Sequence, residues 1–312
     1  KYTKPNRYVM KILHPNVKTE INFFRKFYNL IIRFSKIKNL LTEKFPFDIN
    51  TFIDQFNEQS DFIHESNNLL KFREYYKNNS FIIIPELIKT SKTIMIMSYE
   101  KGECFEDIEL SENQLYKIVL LLVSFTRNNQ NILNFHHGDL HKGNWKVKVD
   151  TENNNHKLII YDFGFCWGVP EYKKSKINDL SDVFEDSDPD FVDMKLLCSV
   201  LKYLIKYDIA DDIIITEKAN EFLKDNINSI KPWNLDPNKL LKMAIKFCIE
   251  NNLLIDPVLV QAFIIIIQCK KMFEKYDMIS NDKNPIKSYE VYRSKHLDWA
   301  AFYQTYHIFD EF

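Results

Sequence analysis

Three side chains that carry oxygen fall at a spacing that suits phosphoryl transfer. Asp139 and Asn144 share the stretch His137-Gly138-Asp139-Leu140-His141-Lys142-Gly143-Asn144, and Asp162-Phe163-Gly164 begins eighteen residues after Asn144. A carboxylate in such a loop orients an acceptor hydroxyl and takes its proton, while an Asn and a second Asp hold the metal ions that neutralise a polyphosphate. Asp139 is therefore the expected base, with Asn144 and Asp162 as expected metal ligands. His137 is expected to brace the loop, because a weakly acidic hydroxyl needs positioning more than a strong base. Asp-Phe-Gly alone arises often by chance; its pairing with the upstream loop through a predicted hairpin is the specific signal. Lys11 closes Tyr8-Val9-Met10-Lys11 on a predicted strand. That matches the pattern in which a strand lysine reaches the α- and β-phosphates of a nucleotide.

These groups need a scaffold that delivers them to one place. Trp145–Val149 and Lys157–Tyr161 read as hairpin strands around the polar turn Asp150–His156, and an apolar helix over 112–136 leads into the loop. Upstream, the pattern is the end of one strand, a turn at Lys4-Pro5-Asn6, and the strand Arg7–Leu13, with Pro-Asn as turn chemistry. Val17, Ile21, Phe24, Phe27, Ile31 and Phe34 recur at three- and four-residue spacing, which predicts a helix over 17–44 with that stripe in the core. Lys18, Arg25, Lys26, Lys36 and Lys38 on its polar face read as solvated charge rather than an anionic-lipid surface. Residues 48–78 predict a second long helical region, N-capped by Asp48 or Asn50, on which Asp61 and Glu65 share a face. Phe81–Ile84 is a short strand stopped by Pro85, and the apolar run Thr93–Tyr99 predicts a strand buried on both sides. Beyond Asp162 the acidic stretch Asp179–Asp190 reads as a solvated loop, and no Ala-Pro-Glu of a typical activation segment follows. Helices are predicted over 191–206, 216–227, 237–250, 256–276 and 295–309, with 260–267, apolar but for Gln261, in a buried one.

Composition bounds the rest. A length of 312 residues suits about two domains or lobes. Forty-five per cent hydrophobic and 27% charged residues are ordinary for a soluble globular chain. A net charge of −1 argues against a nucleic-acid partner. The cysteines at 104, 166, 198, 248 and 269 are scattered, with no Cys-x-x-Cys. They suggest reduced thiols in an intracellular compartment and no zinc site. The longest apolar run of the C-terminal half, Ala262–Ile267, is far short of the roughly 18 residues of a spanning helix. The sequence starts at Lys1 without Met or a signal-like segment, and reads as a piece of a longer chain.

Ile12-Leu13-His14-Pro15-Asn16-Val17 follows the strand lysine. From here the chain resembles the UbiB/ADCK family of atypical kinases, in which a very similar hydrophobic-x-His-Pro-x-Val segment follows that lysine. The resemblance spans residues 7–280 and is strongest at 9–17, 58–73, 95–102, 135–147 and 159–168. The family's Glu-x-Asp-(aromatic)-x-x-Glu-Ala-x-Asn is matched at Asp61, Glu65 and Asn68, with Gln59 in place of the first Glu. It puts Glu65 in the role of fixing Lys11 by an ion pair. His141-Lys142-Gly143-Asn144 is similar to the family's His-Pro-Gly-Asn, with Lys142 replacing Pro. Gly138 stands where regulated protein kinases carry an Arg that pairs with an activation-loop phosphate, so dependence on such a phosphate is not expected. Ser98, Tyr99 and Glu100, ahead of Gly102, look like the kinase hinge whose backbone holds adenine, with Met97 walling the pocket.

The resemblance implies an α+β, two-lobed protein-kinase-like fold. Residues 1–100 would form a small β-containing N-lobe with inserted helices, and 101–312 a larger, mainly helical C-lobe. It implies ATP and Mg²⁺ as cofactors of a phosphotransferase or ATPase. Family members are associated with ubiquinone biosynthesis and lipid homeostasis, and often show ATPase rather than clear protein-kinase activity. The acceptor is left open among small molecules, lipids and proteins, as is peripheral membrane contact. The family's Ala-rich nucleotide loop and Lys-x-Gly-Gln segment are not in the sequence and are expected upstream of Lys1. Two other readings stay open. A small-molecule kinase of the aminoglycoside/choline phosphotransferase type fits His137-Gly138-Asp139-Leu140-His141 equally well. A nucleotide-binding pseudokinase or interaction module is opposed by the presence of Lys11, Glu65, Asp139, Asn144 and Asp162 together.

Overall fold

The computed structural model describes residues 7–36, 46–47, 49–111, 133–150, 156–168, 194–206, 209–226 and 237–256, with Gln114, Ile118, Val119, Leu121, Leu122, Phe125, Thr126, Asn128 and Asn129. Several predicted features lie outside the described residues. They are the Lys4-Pro5-Asn6 turn and the strand before it, 37–44, most of the helix over 112–136, and the tip of the hairpin turn. The acidic stretch and everything after Asp256, with its two predicted helices, lie outside as well. The described residues pack as two units. One holds those up to Ile21 and those from Gln55 to Gly168; the other holds those from Asn22 to Asp54 and those after 193.

Alternation sets the first strand, β1 (Tyr8–Ile12), with Val9 and Lys11 on the more sheltered side. Helix α1 (Val17–Ile31) follows Asn16, which has a φ of 76°. The predicted helix over 17–44 is interrupted: α1 ends at Ile31, turns at 32–33 and a bend at 34 follow, and residues 35–36 are helical again. Its stripe is also not core: α1 has no buried residue, and Phe23, Phe24, Phe27 and Leu30 are exposed. The spacing dictates a helix, but burial needs a partner surface that local spacing does not encode. On the polar side, Arg25 reaches Asp54 at 2.7 Å.

The predicted helical region 48–78 is two helices, α2 (Ile49–Gln59) and α3 (Phe62–Tyr75). Ser60 turns back onto Asn57 O at 2.7 Å. Asp61 is extended, and its carboxylate accepts the Ile63 N–H at 3.0 Å, a side-chain N-cap. Asp61 thus starts α3 instead of sharing a helix face with Glu65, and Asn50 lies within α2 rather than capping it.

Next come β2 (Ile82–Ile83), β3 (Leu87–Thr90) and β4 (Ile94–Ser98). An antiparallel sheet runs in the order β1-β4-β3, with Lys11 opposite Met95 and Val9 opposite Met97. Met95 and Met97 are buried while Ile94 is exposed, so β4 hides chiefly one face instead of the two predicted. The pairing strand β3 was not expected; it is short, carries an exposed Lys89, and shifts register between Leu87 and Lys89. The predicted hairpin is present as β6 (Trp145–Lys148) against β7 (Lys157–Ile160), preceded by β5 (His136–His137) and followed by β8 (Cys166–Trp167). β2 adds in parallel to β7, and β5 pairs antiparallel with β8. Behind them, Phe72 is wholly buried, with ring centroids of Phe163, Phe135 and Phe125 at 5.1, 5.2 and 5.8 Å.

In the second unit, α4 (Met194–Leu204) leads into β9 (Ile205–Lys206), then α5 (Asp212–Asn226), α6 (Pro237–Asn251) and β10 (Leu254–Ile255), which pairs with β9. Helix α5 starts four residues before its predicted position. Leu197, Leu201, Phe222 and Phe247 are buried here, with the two phenyl rings 5.1 Å apart. A mixed β/α N-terminal region is thus followed by a mainly helical C-terminal one. Among the described residues, no helix is long and apolar enough to cross a membrane, and Cys104, Cys166, Cys198 and Cys248 are free thiols.

Candidate functional site

Strand β1 and helix α3 place Lys11 and Glu65 against each other. Lys11 Nζ donates to Glu65 Oε1 at 2.7 Å and to Oε2 at 2.9 Å. Asp162 Oδ1 stands 3.2 Å from the same nitrogen. The Glu65 side chain is 1% exposed and that of Asp162 46%, so one carboxylate is sealed and the other open to solvent. Burial alone would pull the Lys11 pKa down, but Glu65 and then Asp162 outweigh it, and the ammonium is held above its usual range. For Glu65 burial is the largest influence and raises its pKa against the opposing pull of Lys11. The helix is pinned at both ends: Phe62 N–H reaches Lys92 O at 3.4 Å, and Arg73 donates to Ile84 O at 2.8 Å.

A second group forms around the loop after β5. Asn144 is buried, and its amide nitrogen donates to Asp139 O at 2.8 Å and to Asp139 Oδ2 at 3.3 Å. That geometry leaves the Asn144 amide oxygen facing elsewhere. His141 Nε2 lies 3.6 Å from Asp139 Oδ2, and Lys142 pairs with Glu106 at 2.9 Å. His137 is buried, and its Nε2–H donates to Tyr161 O at 2.8 Å. Burial, the largest influence, lowers its pKa below the usual histidine value and keeps it neutral. Gly138 donates to Phe165 O at 2.8 Å; a Cβ there would come within 2.5 Å of the Phe165 ring and 2.8 Å of Trp167 Nε1. The pairing of β5 with β8 fills the space that an arginine would need.

The linker after β4 is tightly bonded. Ser98 N–H donates to Glu86 O at 2.8 Å, and Ser98 Oγ accepts the Glu86 N–H at 2.8 Å and donates to Glu100 Oε1 at 2.7 Å. Tyr99 N–H donates to Arg7 O at 3.0 Å. The N–H groups of Ser98 and Tyr99 are thus already paired within the sheet. Met97 and Ser98 are buried, while Tyr99 is exposed. Gly102 follows, where a Cβ would meet Ile159 Cδ1 at 2.6 Å; close approach to the hairpin requires glycine here.

The structure brings Lys11, Glu65 and Asp162 into one cluster and Asp139 with Asn144 into another. Tyr161 joins the second cluster to the linker, and sequence reasoning gave it no role. Its N–H donates to Asn144 O at 2.8 Å and its hydroxyl donates to Glu100 O at 2.8 Å. The available signal was a phenol closing the apolar run Leu158-Ile159-Ile160, because a half-buried hydroxyl must find a partner. Asn68 also carries more than its motif match: its amide donates to Phe163 O at 2.9 Å, fixing the backbone beside Asp162.

A family described as "ABC1 atypical kinase-like domain" matches residues 3–193. A probable serine/threonine-protein kinase of Dictyostelium discoideum, abkC, is 33% identical over 152 residues, covering 47% of this chain and 22% of that protein. A mitochondrial ABC1 family protein of Saccharomyces cerevisiae is 27% identical over 234 residues, covering 72% of this chain and 34% of that protein. The chain therefore spans well under half the length of either relative. Among solved structures, a complex of Rv3197 with erythromycin from Mycobacterium tuberculosis aligns over 82% of this chain and 70% of that one, at a TM-score of 0.45 and 15% identity. That likeness is too remote to bear on the chemistry. The family match takes in more than half of the chain and every residue of the two clusters, and the chain belongs to the ABC1/UbiB family of atypical kinase-like domains.

Proposed function

We propose that this chain is the catalytic core of an ATP- and Mg²⁺-dependent phosphotransferase or ATPase. The observation that carries the reading is the bidentate Lys11–Glu65 pair, with Asp162 3.2 Å from the lysine. Phosphoryl transfer needs a fixed cation at the nucleotide phosphates and a carboxylate beside it for metal. Glu65 aims Lys11, and Lys11 grips the phosphates. Asp139, 56% exposed, orients the acceptor or a water. The donor set fits Mg²⁺, which prefers oxygen ligands and takes few from protein. Asn144 offers its amide oxygen once its nitrogen is spent on Asp139, and Asp162 offers an open carboxylate. Bound there, the metal would neutralise phosphate charge. Adenine would lie along Met97, Ser98, Tyr99 and Glu100, and the donor for it falls to the Glu100 N–H, because those of Ser98 and Tyr99 are paired.

The N-lobe reading of 1–100 and the C-lobe reading of 101–312 belong to this proposal. Gly138, packed under Phe165 and Trp167, supports an enzyme that does not read an activation-loop phosphate. The scattered free thiols and the mitochondrial relative support an intracellular, reducing location. The acceptor is a small molecule, a lipid or a protein.

A thermal-shift titration with ATP, with and without Mg²⁺, tests the reading alongside Asp162→Ala. A ligand at a hundredfold excess over Kd stabilises the folded state by about 2.7 kcal/mol. The expected result is a Mg²⁺-dependent shift that Asp162→Ala abolishes. No shift in the wild-type chain would leave an interaction module as the better reading.

A further inference from the structure

We infer that Tyr161 is a positioning residue whose hydroxyl ties the adenine-holding linker to the backbone beside the two metal ligands, Asn144 and Asp162, so that base and metal positions are set together. The inference rests on the nucleotide-site reading above. Tyr161 makes three bonds, one to the linker and one to each end of the 137–144 stretch. Its hydroxyl donates to Glu100 O at 2.8 Å. Its N–H donates to Asn144 O at 2.8 Å. Its carbonyl accepts from His137 Nε2 at 2.8 Å. Asp162 follows directly at a φ of 56°, a left-handed conformation that is uncommon outside glycine and that Asp adopts more readily than most residues.

Two of those bonds use the backbone and are open to any residue. The hydroxyl bond is not. Tyr161 ends β7, whose Leu158, Ile159 and Ile160 are wholly buried, and an apolar side chain would simply continue that run. A phenol there must satisfy its O–H, and it does so on a carbonyl sixty-one residues away in sequence. A carbonyl oxygen can only accept, so the phenol O–H is the donor in this bond. With its carbonyl held, Glu100, whose own N–H is the one assigned to adenine, is tied to the residue that precedes Asp162. Asp162 Oδ1 is in turn 3.2 Å from Lys11. Releasing the hydroxyl frees the linker on one side and loosens the anchor before Asp162 on the other.

The test uses Tyr161→Phe and Tyr161→Met in the full chain, beside wild type and Asp162→Ala. Calorimetry reads adenosine affinity without metal, ATP stabilisation reads the Mg²⁺ concentration at half-effect, and Tm reads the fold. Tyr161→Phe is expected to weaken adenosine about fivefold, the scale of one hydrogen bond, and to raise the Mg²⁺ requirement similarly. Tyr161→Met shifts both in the same direction. Asp162→Ala loses the Mg²⁺ dependence. A hydroxyl that is merely structural lowers Tm and moves neither readout, and that result overturns the inference. Wild type that binds neither adenosine nor MgATP overturns the nucleotide reading and this inference with it. Normal binding by wild type with unchanged variants overturns only this one.

Discussion

Glu65 is a carboxylate sealed from water, and its compensation is chiefly Lys11, with a backbone bond at Phe163 beside it. Removing one partner of a buried pair leaves the other charge stranded, at a cost of about 3–5 kcal/mol. Lys11 is partly exposed and keeps Asp162 nearby, so losing Glu65 should hurt the fold less than losing Lys11. Lys11→Met is expected to cost on the order of 3 kcal/mol at pH 8, read by urea denaturation. The sign of the pH dependence follows from Glu65. Its folded pKa is raised, so the folded state takes a proton before the unfolded state does, and the deficit against wild type should shrink towards pH 5. A deficit that stays constant with pH would mean that the stranded group is not Glu65. Gly138 sets a second limit at this scale: Gly138→Ala pushes a methyl into Phe165 and Trp167 and should cost about 1–3 kcal/mol. An unchanged Tm would show that the rings yield freely. Asp139, Asn144 and Asp162 were legible by residue type and spacing, and Lys11 by its strand pattern, whereas Glu65 stood out only through the family resemblance. The Tyr161 tie was not, because nothing local to residue 161 points to residue 100.

Elements position these residues through their ends as much as their faces. Asp61 caps α3 and so fixes the turn that carries Glu65. Asp61→Ala should cost about 1 kcal/mol, and it should weaken MgATP stabilisation more than an equally destabilising change in α6. Equal effects would detach the cap from the site. The break between α2 and α3 was hidden because apolar spacing runs on through it; only Ser60-Asp61 marks it, and both types also occur on exposed helix faces. Strand β5 has a pH dependence of its own. His136 stacks on Trp167 with centroids 4.2 Å apart, and burial lowers its pKa to about 4. The unfolded chain takes that proton near pH 6.5 and the folded chain only near 4, so this stability is complete above 6.5 and lost between the two. The span corresponds to about 3 kcal/mol. His136→Phe keeps the stacking and should flatten the acid limb of a Tm-against-pH curve, whereas an unaltered limb would assign it to other groups.

At the scale of the whole molecule, the sequence predicted regions of mixed and helical structure correctly, but not which apolar residues would be covered. The helical period of Phe24, Phe27 and Ile31 is the same whether a partner surface exists or not. In the structure Phe23, Phe24, Phe27, Leu30 and Phe34 are all more than half exposed on or just beyond α1, and the Phe23 and Phe27 rings stack 6.4 Å apart. A net charge of −1 with a pI near 6.8 gives little mutual repulsion between copies near neutral pH. Apolar surface of that kind associates when charge does not keep molecules apart. The chain is therefore expected to self-associate around pH 7, more strongly as added sulfate favours burial. Phe24→Asp with Phe27→Asp should abolish that association in light scattering while changing unfolding free energy by no more than about 0.5 kcal/mol, as exposed positions do. A loss of several kcal/mol in the double variant would instead mean that this face is packed in the folded chain, and would return the stripe to the core where its spacing first placed it.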